Sequence, residues 1–139
     1  MIYLKGKLWS FFNQVWESLN NQYKNLHIEK NIISFLTANS LTINDVDVVI
    51  TGRNGDKNND AIYNGLDKTV FANSEVINYK HLCGEYPTAT SFALWLAANV
   101  VKTGTVPAIV ADTPIAPKKV LIYNHYQRNY HSLMLLSAC

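Results

Sequence analysis

A chain of 139 residues in which 48% are hydrophobic and 12% aromatic has enough apolar material for the core of one domain. Twelve basic against ten acidic residues leave a net charge of +2, and the basic residues are spread along the chain. This composition excludes a disordered segment and gives no sign of a nucleic-acid-binding surface.

The cysteine content and the apolar runs indicate a cytoplasmic protein that does not enter a membrane. The two cysteines, Cys83 and Cys139, fit a reduced compartment, and the start of the chain has no signal-like pattern. The longest apolar run, residues 92–101, is too short to span a bilayer. Because residues 1–7 lead almost directly into the first predicted helix, we expect the chain to be a piece of something longer.

The first half of the chain reads as two helices, a buried strand and a third helix. Apolar residues at spacings of three and four predict helices over residues 8–23 and 28–38. Residues 46–50 are almost continuously apolar and β-branched, as expected of a strand buried on both faces of a layered sheet. A glycine- and asparagine-rich loop, residues 51–60, separates this strand from a helix over residues 59–71.

The second half adds three strands around a buried helix. A strand is predicted over residues 74–79, and a helix that is apolar nearly all round over residues 87–102. An extended piece is predicted near residues 109–111. The chain then ends in two strands, residues 119–126 and 132–138. This order predicts one α/β domain over residues 1–139, half of a layered α/β/α sandwich whose mixed sheet has a C-terminal antiparallel hairpin.

The loop between the second strand and the buried helix holds the most reactive residue types. Lys80, His81, Cys83 and Glu85 fall within six positions. A loop held between a strand end and a buried helix is a common place for chemistry. Each residue also has a plain interpretation: Lys80 as a solvated strand end, His81 as a surface residue and Cys83 as a small space-filling residue with no identified base.

An acidic stretch after the first strand partly matches a calcium-binding loop. The oxygen-bearing positions of an EF-hand would fall on Asp56, Asn58, Asp60, Ile62, Asn64 and Asp67. The sixth position is Ala61 where the turn needs glycine, and the twelfth is aspartate where a bidentate glutamate is usual. Helical periodicity from residue 59 onward would also aim the oxygens in different directions, so we predict that no metal binds here.

Several segments, taken in order, resemble β-ketoacyl-acyl-carrier-protein synthases. Residues 36–52 (LTANSLTINDVDVVITG) are similar to the passage in which a helix, an acidic turn and a buried strand lead to a His-Gly-Thr loop. Asp60 falls where that family has an acidic residue opening the next helix. Lys80 followed by Gly84 resembles the family's Lys-x-x-x-Gly-His motif.

The similarity extends from residue 34 to the C-terminus. Residues 88–98 resemble the small-residue Gly-Ala-Ala-Gly helix, and residues 124–136 the closing Gly-Phe-Gly-Gly loop and last strand. The resemblance implies the C-terminal half of a thiolase-type fold, in which two similar halves pack together and the nucleophilic cysteine belongs to the other half.

The resemblance also assigns site residues. Thr51 and Glu85 occupy the family's two histidine positions, and Lys80 occupies the lysine position. We therefore take as candidates the catalytic positions Lys80, Glu85 and Thr51 and the substrate-binding positions Gly52, Gly84 and Tyr126. Threonine cannot carry a positive charge, and a glutamate would repel a developing enolate unless burial kept it protonated. Bulky side chains replace the glycines of the closing loop, namely His125, Tyr126, Gln127, Arg128 and Tyr130.

These departures imply a noncatalytic protein similar to the chain-length factors that accompany active synthases in fatty acid, polyketide or aryl-polyene synthesis. Its partners would be acyl carrier protein, an acyl or malonyl thioester, and a missing N-terminal half or synthase subunit in a homo- or heterodimer, with no cofactor. Arg53 and Arg128 would bind the carrier phosphate, or simply pair with Asp56 and Asp60. Two alternatives stay open. One is an active condensing acyltransferase that uses Lys80 and Glu85 with a cysteine from the missing half, and the other is a small stand-alone binding domain.

Overall fold

The computed structural model describes residues 19–20, 26–111, 116–128 and 130–138. A 3₁₀ turn at Ile43–Asp45 precedes the second strand. The other elements, in chain order, are β1 (Leu19–Asn20), α1 (Leu26–Ala38), β2 (Val48–Thr51), α2 (Lys57–Leu66), β3 (Glu75–Asn78), α3 (Lys80–Cys83), α4 (Ala89–Thr103), β4 (Lys119–Tyr126) and β5 (Tyr130–Ser137).

The strands form one mixed sheet in the order β1-β5-β4-β2-β3. Strand β2 is parallel to both β3 and β4, while β4 and β5 pair antiparallel over their full length. The length of each connection explains how the strands pair. A tight loop joins the antiparallel strands β4 and β5, whereas a helix connects the parallel strands β2 and β3. The predicted mixed α/β sheet with a C-terminal hairpin is confirmed, and β1 adds two residues at the β5 edge.

Helices cover both faces of the sheet. Val49 on β2 packs with α1 and α2, whereas its neighbours Val48 and Ile50 pack with α4. This alternation follows from the two-residue period of a strand. All four residues of β2 are buried, as expected of a strand between two helical layers.

Most predicted elements are present with shifted ends. Helix α1 matches the helix predicted over residues 28–38, and α4 matches the one over 87–102. The helix predicted over 59–71 begins earlier, because Asp56 caps it by accepting hydrogen bonds from Asn58 N and Asn59 N. It also ends earlier, at Leu66, and a series of turns follows it.

Three sequence predictions are wrong in part. The predicted extended piece at 109–111 is a turn closed by a hydrogen bond from Val110 N to Pro107 O. The loop after β3 begins with the one-turn helix α3. The predicted helix 8–23 lies outside the described residues except for Leu19–Asn20, which form β1.

None of the helices within the described ranges is both long enough and apolar enough to cross a membrane.

Candidate functional site

The carboxyl ends of the three parallel strands meet at one edge of the sheet. Thr51 at the end of β2 is level with Asn78 on β3 and Tyr123 on β4. The loops that begin at Gly52 and Lys80 therefore lie side by side, as predicted. The edge of a parallel sheet beyond its carboxyl ends is where ligands commonly bind in α/β proteins.

A small cleft lies at this edge, against the tip of the β4–β5 hairpin. It has a volume of about 110 Å³ and is lined by Asn59, Glu85, His125, Tyr126 and Gln127. We refer to it as the hairpin cleft. The sequence prediction placed Glu85 and Tyr126 among the site residues, and both line this cleft.

Lys80 and Glu85 form an ion pair beside the hairpin cleft. Lys80 Nζ donates to Glu85 Oε2 at 2.6 Å, and Asn54 Nδ2 donates to the same oxygen at 2.9 Å. The lysine side chain is 5% exposed and the glutamate side chain 44% exposed. Glu85 thus acts as a hydrogen-bond acceptor that balances the charge of a buried ammonium.

Thr51 is buried and its hydroxyl proton is already used. Thr51 Oγ1 donates to Asn78 Oδ1 on the neighbouring strand at 2.6 Å. The threonine therefore links the ends of β2 and β3 rather than presenting a donor to the cleft.

Gly52 allows a close contact between two strands. A β-carbon at this position would overlap the side-chain amide oxygen of Asn124 on β4. Gly52 N donates to Tyr123 O at 3.1 Å, which extends the strand pairing by one residue. Glycine is thus required here for steric reasons.

The remaining two predicted substrate-binding residues differ in character. Gly84 has φ 83° and its N–H donates to Lys80 O at 2.7 Å, so glycine suits this left-handed turn. Tyr126 is exposed and lies opposite Tyr130 across the hairpin.

His125 is a buried residue of the hairpin cleft whose role the sequence did not predict. Its ring stacks on Tyr63, with centroids 4.8 Å apart. Its Nδ1 accepts a hydrogen bond from Arg128 N at 3.3 Å, and its Nε2 lies 2.9 Å from Asn59 O. Because a backbone N–H can only donate and a carbonyl can only accept, the ring is neutral with its proton on Nε2.

The electrostatic surroundings of His125 favour this neutral form. Burial lowers the pKa of His125, and the positive charge of Lys80 lowers it further, against the raising effect of the Asn59 carbonyl. His125 is therefore held as a structural imidazole, not as a charged donor.

A partly buried chain of polar groups behind the cleft connects three elements. Tyr63 on α2 donates its hydroxyl to Asn124 Oδ1 at 3.4 Å and accepts from His125 N at 3.2 Å. Asn124 Nδ2 donates to Thr90 Oγ1 on α4 at 2.7 Å. Burial raises the pKa of Tyr63, so its hydroxyl keeps its proton. These contacts fix the turn end of the hairpin relative to both helical layers.

The acidic residues near α2 have separate structural partners. Asp60 is buried and accepts from Asn54 N at 3.1 Å and Gly55 N at 2.9 Å. Arg53 binds Asp67 at 2.6 Å and Asn64 at 2.9 Å. The predicted pairing of Arg53 with Asp56 or Asp60 is therefore wrong.

Arg128 forms no ion pair within the part of the chain that the structure describes. In the same ranges, no three His, Cys, Asp or Glu side chains are grouped so that they could hold a metal ion.

His81 and Cys83 do not line the hairpin cleft. His81 is exposed, and Cys83 is half-buried with its Sγ 3.4 Å from Gly84 O. Cys83 also packs against the apolar cluster under α4.

The fold and the cleft define a mixed α/β protein with a polar site at the carboxyl edge of its parallel strands. Comparison of the chain with protein-family models, curated proteins and solved structures gave no match.

Proposed function

We propose that this chain is the C-terminal half of a β-ketoacyl-synthase-like protein that lacks condensing activity and assists a synthase in fatty acid or polyketide assembly. The proposal is carried by one observation: the groups at the family's two histidine positions are unable to donate a hydrogen bond or place a positive charge in the cleft. Thr51 donates to Asn78, and Glu85 accepts from Lys80 and Asn54.

Decarboxylation of a malonyl thioester produces an enolate that needs nearby donors or positive charge. Glu85 offers a carboxylate oxygen, which repels an enolate. The charge of Lys80 is already balanced by Glu85, and the ammonium is almost fully buried. The arrangement therefore disfavours the active alternative, in which Lys80 and Glu85 carry the chemistry.

His125 does not replace the family histidines. Its Nε2–H is directed at Asn59 O and its Nδ1 is occupied by Arg128 N. A neutral imidazole with both nitrogens hydrogen-bonded has no free position for a substrate oxygen. This supports a noncatalytic role for the cleft as it stands.

The arrangement of elements agrees with the resemblance. The strand leading to Gly52 and the strand leading to Lys80 are parallel neighbours, and the tip of the closing hairpin lies over the same sheet edge. Trp95 on α4 is more than half exposed, beside the partly buried Phe92. An exposed aromatic on an apolar helix is compatible with a further half packing on α4.

A malonyl-acyl-carrier decarboxylation assay on the full-length protein tests the proposal, with an active synthase as positive control. We expect turnover no higher than that of the carrier alone, for the natural protein and for the Lys80→Ala and Glu85→Gln variants. Turnover that either substitution abolishes would overturn the noncatalytic role and favour the active alternative.

Binding and size measurements separate the proposal from the stand-alone domain. We expect the full-length protein to bind malonyl- or acyl-loaded carrier protein in a titration, and the isolated chain to self-associate in sedimentation experiments. A compact, cooperative monomer that ignores the carrier would favour the small binding domain instead.

A further inference from the structure

His125 holds together the tip of the hairpin and the start of α2. Its two ring nitrogens contact different segments, with Arg128 N in the hairpin turn on one side and Asn59 O on α2 on the other. The ring also stacks on Tyr63 at the sheet edge. One side chain thereby fixes the wall of the hairpin cleft that is formed by Tyr126 and Gln127.

The turn that His125 fixes has an unfavourable backbone. Gln127 has φ 51° and Arg128 has φ 60°, the left-handed region that non-glycine residues rarely adopt. Such a conformation persists only where surrounding contacts hold it. The hydrogen bond from Arg128 N to His125 Nδ1 is one of these contacts.

Charged and titratable groups face His125 from every neighbouring element. Positive charge comes from Lys80 on α3, and a second imidazole, His131 on β5, lies directly opposite with ring centroids 6.0 Å apart.

Negative charge comes from Asp60 on α2 and from Glu85. Glu85 is paired with Lys80, and Asp60 accepts two backbone N–H groups, so both carboxylates already have partners. Tyr63 presents a neutral hydroxyl, and Tyr123 bonds His131 Nδ1 at 3.0 Å.

We propose that protonation of His125 releases residues 126–128 at the hairpin tip and widens the hairpin cleft, so that access to the cleft is gated by pH. On protonation, Nδ1 becomes a donor that faces the donor N–H of Arg128, and this hydrogen bond is lost. The bond from Nε2–H to Asn59 O survives, so release is confined to the turn. The proposal depends on the cleft alone and not on an acyl function.

The direction of the pH effect follows from burial. The pKa of His125 lies below its ordinary value of 6.5, mainly because burial disfavours the charged ring. The tip is therefore closed at neutral pH and opens in acid.

Residue-resolved amide exchange of the whole chain, corrected for the intrinsic exchange rate at each pH, tests the proposal. We expect protection of the Arg128 amide to fall between pH 7.5 and 5.0. At pH values above the pKa of His125 the fall should be about tenfold per pH unit, because opening takes up one proton. The amides of Val49 and Ile50 in the buried strand serve as internal controls and keep their protection. Equal protection of the Arg128 amide at both pH values would overturn the proposal.

Variants identify the responsible ring. In His125→Gln the side-chain amide still reaches Asn59 O as a donor but does not titrate, so the Arg128 amide loses its pH dependence. His81→Gln is the matched control, because His81 is exposed and lies outside the cleft, and it retains the natural pH dependence. The same acid-induced loss of protection in His125→Gln as in the natural chain would assign the effect to another group.

A direct reading of the ring nitrogens keeps the proposal testable if the variant fails to fold. In ¹⁵N-resolved spectra of the natural chain we expect Nδ1 of His125 to be unprotonated and Nε2 protonated at pH 7.5. Both nitrogens should become protonated over the pH range in which the Arg128 amide loses protection. An Nδ1–H tautomer or a charged ring at pH 7.5 would contradict the mechanism.

Discussion

The side-chain amide of Asn124 occupies the space that a β-carbon on Gly52 would fill. These residues lie at the ends of adjacent strands, and Asn124 also hydrogen-bonds Tyr63 and Thr90. The close contact therefore connects the sheet edge to both helical layers. Gly52 is needed for packing, whatever ligand the cleft takes.

Gly52→Ala is expected to destabilise the chain by about 3 kcal/mol, because overpacking in a rigid interior is combined with displacement of Asn124 from its hydrogen bonds. Urea unfolding measures this change. Gly65→Ala is the matched control, since Gly65 is an exposed residue of α2 with open space around it. That control should gain about 0.5–1 kcal/mol from the higher helix propensity of alanine.

Asn124→Ala tests the origin of the Gly52 effect. Removing the amide makes room for the β-carbon, so the double variant should cost clearly less than the sum of the single variants. Additive losses would show that the glycine is required for another reason.

Local chemistry was enough to predict most of the regular elements. The β-branched run that ends in Val48, Val49 and Ile50 predicts a strand buried on both faces, and all three side chains are buried in the sheet. The predicted end of α2 is too late, because the apolar spacing that predicts a helix to residue 71 continues past Leu66, the last residue of α2. Phe71 N bonds Leu66 O in a turn, and Phe71 still reaches the core.

The extended piece predicted at residues 109–111 was based on a few isolated apolar residues. Ile109 is 73% exposed and lies in a turn after Pro107, because no strand of the described ranges pairs with this segment. Strand propensity without a partner is not enough to make a strand.

The site was only partly predictable because its contacts connect distant positions. The order of the strands was enough to bring the loops at Gly52 and Lys80 together. The contact between His125 and Asn59 joins residues 66 positions apart, and no local pattern carries that information.

The Lys80–Glu85 pair should respond asymmetrically to substitution. Glu85→Gln leaves a buried ammonium without a carboxylate and should cost about 1–2 kcal/mol, reduced from the fully buried case because Glu85 is partly exposed. Lys80→Met replaces the buried charge with an apolar chain of similar length and should change stability by less than about 1 kcal/mol. Denaturant unfolding of both variants decides the point, and a larger loss for Lys80→Met would be inconsistent with this account.

The carboxylate of Asp60 should be far less replaceable than that of Asp56. Each oxygen of Asp60 accepts one backbone N–H, so Asp60→Asn turns an NH₂ group towards a donor and should cost about 1–3 kcal/mol. In Asp56 a single oxygen accepts both N–H groups at the start of α2, so Asp56→Asn keeps the cap and should stay within about 0.5 kcal/mol. Equal losses in thermal unfolding would contradict this difference.

Three buried tyrosines should make the chain sensitive to alkali. Burial raises the pKa of Tyr63, Tyr79 and Tyr123 above the ordinary value of 10.0, with desolvation the largest cause in each case. Above pH 10 the unfolded chain loses these phenolic protons while the folded chain keeps them. The stability they contribute is therefore complete below pH 10 and falls as the pH rises towards the folded pKa values.

After a jump to strongly alkaline pH, absorbance at the phenolate band should rise in two phases. Exposed tyrosines ionise at once, whereas Tyr63, Tyr79 and Tyr123 ionise only as the chain unfolds. Tyr63→Phe should reduce the amplitude of the slow phase by the contribution of one of these three tyrosines. Tyr126→Phe replaces an exposed ring and should leave the slow-phase amplitude unchanged. Ionisation of all tyrosines in the fast phase would show that these hydroxyls are open to solvent in the folded chain.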